Sequence, residues 1–473
     1  MIPSHSCKAL PYSVPRTTTY LDWHTGPTND WMPLFEGVRV WTLTPFELSV
    51  PSERSAVPSS GRSRGSRYVS STKYRVRQAL ASCPTLLAPT IFPDVPHFNP
   101  PDFTKPLLAG APDARFVPAP ADGVLPEGFF STTNLPTYVR IGGEWRLPRE
   151  PRMDSALVLA SDGALWVREG RRVRKGEQVA VGEAEDGREG IYVHATAFME
   201  EVGSDGEFKF MVSEVSREKP IDYALMAKIL VDERDGGGYP IWVAGPALVH
   251  SRARHDMVWF IQNGFVGALL AGNAVAVHDI EASIFGTTLG MSGEGKATQG
   301  GHGLHMRAIN KVRAAGSIAA AVANGTIRDG IMHACVTTNT PFVLTGSIRD
   351  DGPLPEVITD AVAGQDAMRA HAVKSTMAIL IATALHAIAT GNMLPAFVMQ
   401  PDGSLRELAT ICVDSAEFVV SKLKDRGTHQ AFGVVTNAQD FMHILRLYVE
   451  REIDQRRIAT AASAADRAVA AAR

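Results

Sequence analysis

Short apolar runs in the second half of the chain, each closing on glycine, aspartate or asparagine, restrict the fold more than any other feature. They are residues 241–244 before Gly245 and Pro246, 266–270 before AGNAVAVHD, Phe342–Thr345 before GSIRDDGPLP, 411–413 before Asp414, and 432–435 before TNAQD. Each is too short for a helix, and none alternates apolar with polar as a half-solvated strand does. Such runs are strands covered on both faces. The segments between them are longer and helix-compatible, at 219–230, 305–323, 365–389 and 439–452. Short buried strands alternating with helices predict a mostly parallel sheet of the doubly wound α/β class.

In an open parallel sheet, ligands sit in a crevice outside the carboxyl ends of the strands. The stretch PFVLTGSIRDDGPLP carries Arg349, Asp350 and Asp351 just past one such end. A cation and two carboxylates there can floor a polar small-molecule site, or can be a solvated surface turn. No GxGxxG follows a strand, so the usual dinucleotide signature is missing. Its physical requirements can be met by other loops: glycine for close backbone approach, amide or carboxylate for ribose hydroxyls. Gly-Asn turns at 271–279 and 389–395, and Asp414 directly after a strand, offer those groups.

A second group is rich in imidazole: His278, Asp279 and Glu281, then GGHGLHMR with His302, His305 and Arg307. Histidines three residues apart can share a helical face and hold a metal. The same loop can instead close over a carboxylate substrate, with arginine as the clamp and histidine moving protons. We assign no metal. Cys335 has no histidine arrangement beside it and reads as a buried, inert thiol.

The 473 residues exceed one ordinary core, and four cysteines without short paired spacing argue against a disulfide or thiolate-zinc framework. A net charge of -3 gives no general attraction for nucleic acid or anionic lipid, and the basic turn RRVRK at 171–175 reads as a local solvated turn. With no membrane-spanning or secretory stretch, the expectation is a cytoplasmic protein without nucleic-acid or membrane partners, acting on a small molecule as a homo-oligomer, dimer or tetramer. Four segments are expected: 1–115, unassigned, with a Ser/Gly/Arg-rich stretch; 116–235, a β-rich support domain; 236–452, the α/β domain; and 453–473, an Ala/Arg-rich tail. Residues 74–81 suggest a short helix. Ser131, Thr132, Thr133 and Asn134 offer polar groups to a substrate, or form a capped turn.

The blocks GFVGALLAGNAVAVHDIE, GGHGLHMRAINKVRAAGSI, PFVLTGSIRDDGPLPEVITDAV, HAIATGNMLPA and CVDSAEFVVSKLKDRGTHQAFGVVTNAQDF resemble the archaeal-type ornithine cyclodeaminase family, over about residues 129–447. That resemblance implies an NAD-binding C-terminal domain similar to the deoxyhypusine synthase fold, and conversion of L-ornithine to L-proline and ammonia. By motif, Asn273, Ala274, Asp351, Asn392, Met393, Leu394, Pro395, Asp414 and Ser415 would contact NAD. Asn437 and Ala438 stand where the family carries a GVVTD pattern, so an uncharged amide replaces a carboxylate. Residues 1–115 match neither the archaeal N-terminal segment nor the guanidine-hydrolysing domain of the cyanobacterial enzymes. For chemistry we nominate Asp350 for proton transfer or amine binding, His302 and His305 as alternatives, and Arg307 or Arg349 for the substrate carboxylate. Turnover of another amino acid, or a non-catalytic NAD-binding sensor, are the competing readings.

Overall fold

The computed structural model describes residues 98–198 and 221–471, apart from 294, 351, 396, 401–402 and 427–430. The expected helix at 74–81 and the cofactor assignment to Asp351 lie outside the described residues.

The first part is β-rich, as its alternating apolar pattern requires. Strands β1 (Arg115–Pro118), β2 (Thr137–Ile141), β3 (Glu144–Arg146), β4 (Ala156–Leu159), β5 (Leu165–Arg168), β6 (Gln178–Val181) and β7 (Ile191–Val193) form two antiparallel sheets, ordered β1-β6-β4-β5 and β3-β2-β7. Val139, Ile191 and Val193 from one sheet and Leu157, Val167 and Ala180 from the other share a single core, so the sheets pack face to face. The Ser131–Asn134 stretch serves this packing. Thr132 Oγ1 donates to the carbonyls of Arg152 (2.7 Å) and Ser155 (3.1 Å), and Thr133 Oγ1 accepts from the Leu135 amide, which is the capped-turn reading.

The second part opens with helix α1 (Tyr223–Asp235), whose N-cap Asp222 accepts from the Leu225 amide. It continues with β8 (Pro240–Ala244), α2 (Ala247–His250), α3 (Arg254–Gln262), β9 (Ala268–Gly272) and α4 (Asn273–Phe285). A hairpin, β10 (Thr287–Thr288) and β11 (Met291–Ser292), precedes α5 (Leu304–Ala315), α6 (Ile318–Ala323), α7 (Ile331–Thr338), β12 (Phe342–Thr345) and α8 (Ala361–Ala372). Then come β13 (Met377–Ile381), α9 (Ala384–Met393), the pair β14 (Phe397–Met399) and β15 (Leu405–Glu407), β16 (Ala409–Asp414), α10 (Glu417–Arg426), β17 (Ala431–Val435) and α11 (Ala438–Ala471).

The main sheet has order β12-β9-β8-β13-β16-β17, and every pairing in it is parallel. Chain order runs outward from β8 to β12, then returns to β13 on the other side of β8. This is the doubly wound Rossmann order, with its switch point between β8 and β13. Both strands are fully buried, because helices cover both faces. Under one face Trp242 packs on Phe260 and donates Nε1–H to the Phe265 carbonyl at 3.0 Å.

Two expected helices are corrected. Residues 365–389 are not one helix: the apolar run MAILI is β13, at the centre of the sheet, because a strand buried on both faces and a buried helix look alike in sequence. Residues 305–323 break at Gly316, which adopts φ 92, and Ser317 caps the next helix by accepting from the Ala320 amide. The Ala/Arg-rich tail is helical, for α11 runs unbroken to Ala471.

Candidate functional site

The carboxyl ends of β8, β9, β12 and β13 enclose a cavity of about 480 Å³. Gly245 lets the ends of β8 and β13 approach: a methyl there would fall within the radius of the Ala382 carbonyl oxygen, and Ala382 itself takes φ 56. Gly272 at the end of β9 has a similar role, since an added Cβ would lie 2.7 Å from Cε1 of His386. His386, in the first turn of α9, therefore lies across the glycine, and its Nε2 is 3.1 Å from Thr345 Oγ1. Burial lowers the His386 pKa below the ordinary 6.5, and nearby Asp350 opposes that only in part. The imidazole is neutral near pH 7.

Asp350 is fixed from two sides. Its Oδ1 accepts from Asn273 Nδ2 at 3.1 Å and its Oδ2 from the Ser347 amide at 2.7 Å. Asn273 is held in turn, its Oδ1 accepting from the Leu354 amide at 3.2 Å. The loop after β12 is thus hydrogen-bonded to the start of α4, and a carboxylate stands at the cavity wall in one orientation. Among the described residues no side chain caps the N-terminus of α4 or α9, and both begin at this edge, so their first amides and positive dipole ends face an anionic ligand.

On the far wall His250 and His278 lie with ring centroids 4.5 Å apart. His278 Nδ1 is buried 3.6 Å from Glu281 Oε2, with no hydrogen-bond partner among the described residues. Burial, then His278, lowers the His250 pKa, against the pull of Glu281. Glu281 accepts from Thr287 Oγ1 and the amides of Leu289 and Gly290, which ties the β10–β11 hairpin beside the cavity. Asp279 faces away. Wholly buried, it bonds Arg254 at 2.6 Å and accepts from the Ile331 and Met332 amides, so it anchors α7. Among the described residues no group of three or more histidine, cysteine or carboxylate side chains could hold a metal ion.

Of the nominated residues, Asp350, Arg349, His305, Asn273 and Ala274 line this cavity. His302 and Arg307 are exposed and do not line it. Asp414 ends β16 with Ser415 next to it, and Asn437 and Ala438 follow β17, on the same sheet edge but outside the cavity wall. Asp414 accepts from the Ala416 amide, and Asn437 caps α11 by accepting from the Asp440 amide at 2.9 Å. Asn392, Met393, Leu394 and Pro395 come at the end of α9, which has crossed back to the amino edge; Met393 and Leu394 are buried in the core there. The residues of that helix at the cavity are Thr383 and His386, with Thr345, Ser347, His250 and His278 completing the polar wall. Cys335 is 1% exposed, and burial pushes its thiol up to about 12.

Residues 224–445 match the family model described as arginine dihydrolase ArgZ-like, C-terminal, Rossmann fold, and residues 136–225 match its C-terminal first region. The chain is 45% identical to the ornithine cyclodeaminase of Methanopyrus kandleri over 334 residues, 70% of this chain and 77% of that protein. It is 44% identical to the ornithine cyclodeaminase of Archaeoglobus fulgidus over 341 residues, 72% of this chain and 79% of that protein. The crystal structure of a conserved LOR/SDH protein from Methanococcus maripaludis superposes with a TM-score of 0.65 at 39% identity, covering 72% of this chain and 99% of that one.

Proposed function

The chain belongs to the ornithine cyclodeaminase family, and from that premise we propose that it is an NAD-dependent ornithine cyclodeaminase, converting L-ornithine to L-proline and ammonia by internal hydride transfer. The observation that carries the reading is the doubly bonded Asp350 carboxylate at the switch-point cavity, between the uncapped starts of α4 and α9.

These residues fit the cofactor. Two uncapped helix N-termini suit a pyrophosphate, and Asp414, at the end of β16, is a carboxylate of the kind that takes ribose hydroxyls. Asn437 uses its carbonyl to cap α11 and brings no charge, so ribose recognition falls to Asp414 and Ser415. NAD, when bound, supplies a hydride acceptor that returns the hydride within the cycle.

Asp350 holds the substrate ammonium and orients it. Neutral His386, beside it, takes the proton released as the amine becomes a nucleophile. Arg349 at the rim and His305 on α5 face the substrate carboxylate, and the His250–His278 pair handles the proton carried away with ammonia. The chain works on this small molecule in the cytoplasm as a homo-oligomer. No described helix is long and apolar enough to cross a membrane, and Ile348, Leu289 and Met306 expose apolar surface around the cavity mouth for a second copy to cover.

The test is a single incubation with isotope-labelled L-ornithine and NAD. Labelled proline and ammonia in equal amounts, with no net NADH, is the expected result. Accumulating NADH would replace the reading by a net dehydrogenase, and NAD binding without turnover would replace it by a sensor.

A further inference from the structure

A second cavity, of about 380 Å³, lies where the β-rich part meets α8. Its walls carry Arg168, Arg172, Arg174 and Arg369 against Glu150 and Glu169. The sequence that reads as a solvated basic turn, RRVRK, supplies two of those arginines, because buried Val173 pins the turn and points its neighbours sideways.

Charge in this cleft is under-compensated at its deepest point. Glu169 receives three guanidinium groups: Arg152 Nη1 at 2.8 Å and Arg369 Nε at 3.1 Å on one oxygen, and Arg172 Nε at 3.4 Å on the other. Arg152 and Arg369 are each only 6% exposed at the side chain. Burial, partly offset by Glu169, holds both guanidiniums below the ordinary arginine value, and a neighbouring arginine adds to the effect. Asp366 takes contacts from Arg171 and Arg172 at the mouth; Arg369 reaches the Glu150 carboxylate at 3.7 Å and donates to the carbonyls of Met393 (3.1 Å) and Glu150 (3.5 Å). Glu150 also sits at φ 52, a left-handed conformation that non-glycine residues rarely adopt.

We propose that this cleft is a second binding site, taking a compact oxyanion with two or more negative charges, such as a diphosphate or a tricarboxylate. Arg172 and Arg174 meet the ligand from the mouth and Arg369 from the floor. The planar forks suit bidentate pairing with carboxylate or phosphate oxygens. The ligand would bridge the β-rich part and α8, the helix that leads out of the Asp350 loop. Nothing in this inference depends on the reaction at the first cavity.

The experiment is calorimetric titration of the full chain, its first cavity saturated with NAD, with pyrophosphate and with citrate in about 0.15 M salt, which screens diffuse surface charge. Wild type is expected to bind at least one of them saturably, one per chain. Among the described residues the Arg174 guanidinium pairs only with exposed Asp122 at 3.5 Å, so Arg174→Ala leaves the packing intact and should weaken binding about tenfold, the scale of one charge-assisted hydrogen bond. Arg369→Lys, which keeps charge but loses the fork, should weaken it similarly. Arg349→Ala, at the first cavity, should leave the affinity of this cleft unchanged. No saturable binding of either probe, wild-type affinity in both cleft variants, or loss only in Arg349→Ala would each overturn the proposal.

Discussion

Replacing Asp350 by asparagine tests the site most directly, because the surrounding donors dictate the outcome. Both carboxylate oxygens accept, one from Asn273 Nδ2 and one from the Ser347 amide. Asn273 cannot reverse its ends, since its own oxygen already accepts from Leu354. Whichever way the substituted side-chain amide turned, an N–H would face an N–H. The loss is one hydrogen bond to a charged group, about 1.5 kcal/mol at this half-buried position, the low end of the usual range. That loosens the loop without unfolding the chain. The larger effect is on rate, since a group that holds or moves a proton in the transition state is worth about 10²–10⁴ in turnover. Asp350→Asn should therefore lower kcat for proline formation by about 100-fold or more, with NAD affinity and thermal unfolding little changed. Asn273→Ala, which keeps the carboxylate but removes its brace, should fall between it and wild type. A kcat within about threefold of wild type, about 0.7 kcal/mol of barrier, would refute the assignment of Asp350.

The crevice histidines predict a pH dependence. Burial depresses His250 and His386, so the folded chain binds fewer protons than the unfolded chain below pH 6.5; their contribution is complete above that value and is lost as pH falls through their lowered values. The unfolding midpoint should drop between pH 7 and 5.5, less steeply in His386→Gln, and an equal slope in both proteins would count against it. Gly245→Ala should cost about 3 kcal/mol or more in denaturant unfolding, because backbone rather than a flexible side chain blocks the new methyl; a loss under about 1 kcal/mol would show that the strand ends can part. Native Cys335 should resist thiol reagents at pH 8, and Cys335→Ala should keep most activity, an outcome that rapid labelling of the folded protein would contradict.

Strand identity was legible wherever a run was bounded by turn residues. Phe342–Thr345 is read to the residue, and the strands ending at Ala244 and Val435 nearly so. The central strand was not, because MAILI lies inside a longer apolar stretch with no glycine or proline on its near side. Asn392, Met393, Leu394 and Pro395 were assigned to NAD by the family motif; they lie at the end of α9, whose start brings Thr383 and His386 to the cavity. Asp350, Arg349 and Asn273 were legible as polar residues directly after strands. His386 was not, since what marks it is the missing side chain of Gly272, more than a hundred positions earlier, on a neighbouring strand.

The sheet order also governs how this protein must be made. Strands β8, β9 and β12 can pair as soon as they leave the ribosome, yet the other edge of β8 waits for β13. At about 5–20 residues per second, that edge of PIWVA stays open for several seconds of synthesis. An unpaired, wholly apolar strand edge is a template for another chain. Nascent chains stalled between residues 345 and 377 should aggregate or recruit a chaperone, and those released after residue 435 should not; a strand fully buried in the finished sheet is a hazardous one on the way to it.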